Sequence, residues 1–154
     1  MTKTAGTFLS AVLLLFCCTA EVDLSNKKDF ISTLEKHLKA VSDRDIEALN
    51  RTLSKQDDIY LILPSSTPSK SNSGFIKMHT EWFQDASWTF ETKILHAEVE
   101  ENIGFALVEV MYKEPDRNGK PYFNKMAVSY VLKRIDGHWF VIMDHASSIE
   151  KTKP

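Results

Sequence analysis

Cysteine is scarce in this sequence and badly placed for structure. Its two copies, Cys17 and Cys18, are adjacent and sit inside one apolar run near the start of the chain. Glycine and proline are also few, at five each. With no glycines clustered, there is no phosphate-cradling loop and no serine-centred nucleophile elbow. The histidines, at 37, 79, 96, 138 and 145, show no paired spacing of the His-x-x-x-His kind, so the sequence predicts no metal site and implies no cofactor. A strong charge of one sign is missing as well. The net charge is −2 with acids and bases interspersed, and the lack of a basic stripe argues against nucleic acid as a partner. The apolar run near the start is too short to span a bilayer comfortably, and no second one exists downstream.

What the chain does have begins with its first twenty residues. Lys3 supplies a positive start, Phe8 to Cys18 is almost uninterruptedly apolar, and Cys18-Thr19-Ala20 ends in small residues. That is the layout of a secretory signal peptide. The sequence therefore predicts a signal over residues 1–20, one domain over 21–154, and an exported protein. Cleavage after Ala20 would leave a mature chain with no cysteine, which excludes a disulfide framework, a thiolate nucleophile and a cysteine metal site. Two rival readings stand beside this one. The apolar run can be a buried N-terminal helix, and Leu15-Phe16-Cys17-Cys18 is a loose lipobox that would tether the domain to a membrane through Cys18.

Beyond the start, helical spacing runs over residues 27–41, with Phe30, Ile31, Leu34, Leu38 and Val41 apolar. Asp45 is placed to cap a shorter helix carrying Ile46, Leu49 and Leu53. A short strand, Ile59 to Leu63, ends at Pro64, and a polar loop leads to a third helix over 74–83 in which Phe75, His79 and Trp82 share a face. From Trp88 onward the apolar period becomes two. Four strands follow, over 87–99, 105–113, 122–134 and 138–149, and Asn118-Gly119 and Asp136-Gly137 mark the last two turns. Strands so joined form an antiparallel meander. Both of its faces carry apolar side chains, so it needs cover twice, from helices on one side and from a second subunit or its own curl on the other. A homodimer is expected.

Helix, helix, strand, helix and a four-strand meander is an order that resembles the nuclear transport factor 2-like superfamily, to which the SnoaL-like polyketide cyclases and ketosteroid isomerases belong. Ala40, Asp45 and Ala48-Leu49 resemble its first two helices. The closing run from Asp136-Gly137-His138-Trp139 to Asp144-His145-Ala146-Ser147 resembles the last strand of the calcium/calmodulin-dependent kinase II association domain. The resemblance implies an α+β, cystatin-like fold: a cone-shaped, curved antiparallel sheet with three helices around a pocket. It also implies a carboxylate base in the cyclases and isomerases, for which Asp144 is the equivalent here. Where the association domains carry a pocket arginine on the penultimate strand, this chain has Tyr130.

Strict alternation puts His145 and Ser147 on one face of the last strand with Trp139 and Met143, and Asp144 on the other, unless a bulge intervenes. His145 is thus a candidate general base or hydrogen-bond donor, set against a purely structural histidine tied to a carbonyl or to Ser147. The sequence predicts a small-molecule pocket for an apolar or aromatic ligand, lined by Tyr60, His79, Trp82, Tyr130, His145 and Ser147. The alternatives are an enzyme of the cyclase, isomerase or dehydratase type using His145 or Asp144, and a fold that serves only to oligomerise.

Overall fold

A computed structural model describes residues 13–56 and 58–153, with side chains described from residue 24. The signal-peptide and lipidation readings, including Cys18 and the cut after Ala20, fall on residues 1–12, which lie outside the described residues, and on residues whose side chains do.

Helix α1 runs from Leu13 to Asp43, α2 from Ile46 to Arg51 and α3 from Asn72 to Trp82. The first helix begins well before residue 27 because nothing between Leu13 and Asp43 breaks it: the segment holds no glycine or proline. It stops at Arg44, whose φ of 59° is left-handed. The Asp45 N–H then donates to Ala40 O and the Arg44 N–H to Val41 O, a Schellman closure made without glycine. Asp45 caps α2 as expected, accepting from the Ala48 N–H at 2.8 Å. Ser71 caps α3 by accepting from the Gly74 N–H at 3.0 Å.

Six strands form one sheet: β1 (Tyr60–Ile62), β2 (Ser69–Lys70), β3 (Thr89–Val99), β4 (Ile103–Arg117), β5 (Lys120–Ile135) and β6 (His138–Lys151), in the order β2-β1-β6-β5-β4-β3. The meander of β3 to β6 is antiparallel, and β1 joins the β6 edge in parallel. Only β2 was hidden in a loop reading, because two residues are too short to show a period. Both tight turns form as expected, with Asn118, Gly119, Asp136 and Gly137 all at positive φ.

The sheet is curved and unclosed, and its inner face packs on the helices. Phe30, Leu34, Leu38 and Val41 of α1 are buried against Val108, Val128, Leu132 and Trp139. Each such side chain contributes roughly 1.5–3 kcal/mol by leaving water. The helix lies tight on the β3–β4 turn. A Cβ at Gly104 would stand 2.7 Å from Phe30 Cε2, so only glycine lets α1 approach this closely. Asn26 stitches the same corner, donating to Glu100 O at 3.0 Å and accepting from Trp139 Nε1 at 3.2 Å.

Among the described residues nothing covers the outer face, which carries an apolar belt. Ile103 and Phe105 are 52% and 45% exposed, and Leu107, Met111, Val131 and Met143 are half-buried around them.

Candidate functional site

One irregularity decides which side chains face inward. Val131 pairs with Met143 and Leu132 with Val141, so Ile142 is an extra residue in β6. This bulge reverses the alternation of everything after it. Trp139 and Val141 point to the core, but beyond Ile142 the inward set becomes Asp144, Ala146 and Ser148. A second bulge at Ile149, between the Met126–Ser148 and Lys125–Glu150 pairs, brings Lys151 onto the inner side.

Between sheet and helices lies a cavity of about 480 Å³, within the size range of small-molecule sites. Its walls include Val41 of α1, Leu61 of β1, His79 and Trp82 of α3, Phe90 of β3, Tyr112 of β4, and Asn124, Met126, Val128 and Tyr130 of β5. Arg117 and Lys151, both exposed, mark its outer end. Asp144 and Tyr130 face each other across the β5–β6 pair and mark its inner end. From Tyr130 to Asn124 is six residues of β5, roughly 20 Å at ~3.3 Å per residue.

This geometry corrects three expected lining residues. His145 and Ser147 lie on the outer face, opposite Ser129 and Ala127, because the bulge puts them out of phase with Trp139. Tyr60 pairs with Met143 on that outer side, is 46% exposed, and has Lys70 Nζ 5.1 Å from its ring centroid. His79, Trp82 and Tyr130 do line the cavity, and so does Asp144. Asn124 went unnoticed, yet it shares the parity of Val128, Tyr130 and Leu132. A polar residue in that apolar row was the available signal.

The inner end is electrostatically unusual. Asp144 keeps some accessible surface where it opens onto the cavity, but protein surrounds it, and burial raises its carboxyl to about 7. Burial, with the Asp144 charge next, also pushes the Tyr130 hydroxyl well above its ordinary value. Two buried histidines belong to the same interior, His37 beside the Tyr130 ring and His79 in the cavity wall, both held neutral. His79 is lowered to about 4 by burial, and His37 to about 3 by burial and then by the nearby His79.

The hydrogen bonds fix their tautomers. Phe75 O can only accept, so His79 Nδ1 carries the proton of their 2.9 Å contact. Thr52 Oγ1 gives its one hydrogen to Leu49 O at 2.6 Å, so it accepts from His37 Nδ1 at 2.7 Å. Each histidine is left with a bare Nε2 lone pair, and that of His37 is buried with no partner among the described residues.

At the outer end the charge is already balanced. Arg117 pairs with Glu114 through both guanidinium and carboxylate groups, with Nε to Oε2 at 2.6 Å. It also stacks 3.4 Å over the Tyr122 ring. The Tyr112 hydroxyl donates to Glu114 at 2.5 Å and is pushed up to about 12, first by burial. Asn124, only 8% exposed, has an Oδ1 with no hydrogen-bond partner among the described residues. Trp82 is held in the wall by stacking on Trp88 at 4.3 Å, and Arg44 lies 4.0 Å over the far side of Trp88.

A family model for the SnoaL-like domain matches residues 31–150. No curated protein matches the chain in sequence. Among solved structures, a ketosteroid isomerase-like protein from Erwinia carotovora atroseptica superposes with a TM-score of 0.68 at 16% identity, covering 80% of this chain and 95% of its own. A candidate dehydratase of the NTF2-like family from Streptomyces avermitilis gives 0.69 at 11%, covering 81% and 97%. A candidate calcium/calmodulin-dependent protein kinase type II association domain from Thiobacillus denitrificans gives 0.63 at 15%, covering 77% and 93%. At such identities these likenesses establish the fold alone, and they bear out the resemblance drawn from the closing strand and the order of elements.

The inward placement of Asp144 has a testable sign. A carboxyl raised from 3.8 to about 7 on folding costs stability as pH rises through that window and costs nothing below it. Asp144→Asn should therefore stabilise the fold at pH 8 by about 2 kcal/mol after allowing for cavity water, raising Tm by roughly 5 °C, and raise it by less than half as much at pH 5, inside the window. Differential scanning calorimetry at the two pH values checks this; equal shifts at both would place the carboxyl in bulk solvent.

Proposed function

The chain belongs to the family of SnoaL-like domains, and from that premise we propose that its cavity binds a small apolar or aromatic molecule. The observation that carries this reading is the wall itself: apolar and aromatic side chains broken by a few polar groups, Asp144, Tyr130, His79 and Asn124. Such walls bury a ligand's body for affinity and use the few polar contacts to orient it. We propose further that the protein is exported, on the strength of the leader-like first twenty residues, and that a second copy covers the apolar outer belt around Phe105.

A second reading is favoured by one feature. A carboxyl that burial raises to about 7 and that lines a cavity suits general base catalysis at neutral pH. In that reading Asp144 removes a proton from carbon beside a carbonyl, the step common to isomerases and dehydratases, and Tyr130 hydrogen-bonds the oxygen that gains charge. His145 has no part in it, since it faces away.

Three measurements separate these proposals. The neutral fluorophore N-phenyl-1-naphthylamine should brighten on binding, and Ala146→Phe, which fills the cavity, should abolish the signal while leaving the fold intact by circular dichroism. An unchanged titration in that variant would move the site elsewhere. For the second reading, the protein should speed deuterium uptake beside the carbonyl of 2-tetralone, and Asp144→Asn should lower the rate about a hundredfold; identical rates with and without protein reject it. Sedimentation velocity at micromolar concentration should show a dimer that Phe105→Glu converts to a monomer, and a wild-type monomer would count against the second copy.

A further inference from the structure

The preferred ligand's charge can be read from what the cavity leaves unbalanced. Three ionised groups touch it: Arg117, Lys151 and Asp144. Arg117 is spent on Glu114. Lys151 is solvent-exposed and seven residues along β6 from Asp144, roughly 20 Å away, beyond the ~8–10 Å over which salt lets exposed charges act. Asp144 has neither an ion pair nor a hydrogen bond among the described residues, and its raised pKa has burial as its cause, with no cation opposing it.

The groups around Asp144 compound the imbalance. From β5 it faces Tyr130, and from β1 its neighbour is Leu61, which carries no charge. His79 of α3 lines the same cavity and His37 of α1 lies 5.4 Å from Tyr130 between ring centroids, both neutral at physiological pH and both with Nε2 as a lone pair. Tyr130 therefore supplies the one hydroxyl hydrogen in a cluster of acceptors. A ligand carboxylate placed here would add a second anion to a desolvated first one, which costs several kcal/mol. A carbonyl would bring another acceptor and leave the His79 lone pair unmet. An ammonium brings a positive charge and three donors to the same point.

We propose that the cavity selects an elongated organic cation: a primary amine seated against Asp144, with an apolar or aromatic body running outward past Val128 and Met126 to the aromatic side chains Trp82, Phe90 and Tyr112. This rests on the small-molecule reading above and adds the charge class. The length fits, because the aromatic cluster lies at the Tyr112–Asn124 row, several residue pairs outward from Tyr130–Asp144. Trp82, 5.8 Å from Tyr112 and 6.0 Å from Phe90 between ring centroids, forms a wall against which an aromatic ring can stack edge or face.

The test uses three probes long enough to approach the aromatic row and differing only at one end: 8-phenyloctylamine, 8-phenyloctan-1-ol and 8-phenyloctanoate, titrated calorimetrically into the full-length chain at pH 8, where Asp144 is ionised. The amine should bind about tenfold tighter than the alcohol, and the carboxylate should be weakest. In Asp144→Asn the ratio of amine to alcohol affinity should fall to about one. If the alcohol matches the amine, or the carboxylate leads, the charge assignment is overturned while the binding function stands. Should the amine keep its advantage in Asp144→Asn, Asp144 is not its partner and the assignment also falls. Should none of the three bind while N-phenyl-1-naphthylamine does, the pocket is real and takes another chemistry. Should no probe bind at all, the small-molecule reading fails and takes this inference with it.

Discussion

One extra residue in the last strand determines the chemistry of the interior. Without the bulge at Ile142, Trp139 and Val141 would share their side with Met143, His145 and Ser147, and the cavity would hold a histidine and a serine. With it, the strand keeps Trp139 packed on Phe30 at 5.2 Å between ring centroids and still turns Asp144 inward. Two demands that regular pleating sets against each other are met together. A tryptophan anchors the sheet to α1, and a carboxylate stands opposite Tyr130. The bend that accompanies a bulge also helps the sheet curl around its contents. The bulge in β3 at Leu95 acts in the same sense, between the Ile94–Val108 and His96–Leu107 pairs.

The rest of the interior can be seen as support for that carboxylate. Burying a charge without a partner is expensive, and the protein tolerates it where the wall opens onto a cavity. The neighbouring histidines are kept neutral by burial and pinned by single hydrogen bonds, His37 to Thr52 and His79 to Phe75. Ring contacts then join His37 to Tyr130 at 5.4 Å and His79 to Trp82 at 5.7 Å. The positioning is carried by strands and by the two long helices, and the outer end closes its own charges through Glu114 and Arg117.

Much of this was legible from residue order alone. The 3.6-residue spacing of Phe30, Leu34, Leu38 and Val41, the capping Asp45, the Asn-Gly and Asp-Gly turns and the two-residue period after Trp88 are local signals, and local physics fixes what they encode. His79, Trp82 and Tyr130 were placed on the inner face for the same reason. His145, Ser147 and Tyr60 were misplaced because strand phase is a property of pairing. No residue near Ile142 advertises that it has no partner on β5, and Tyr60 is turned outward by its register with β6. Asn124 was within reach of the parity argument. The length of α1 was not, since helical spacing says little about where an uninterrupted helix begins.

The account stands or falls on Asp144 lying inside. The most direct measurement is a pH titration of its side-chain carboxyl carbon by ¹³C NMR in the free protein. A midpoint near 7 is the predicted result. A midpoint in the ordinary carboxylate range, near ~4, would mean a solvated group on an unbulged strand, and would contradict the structure of the site.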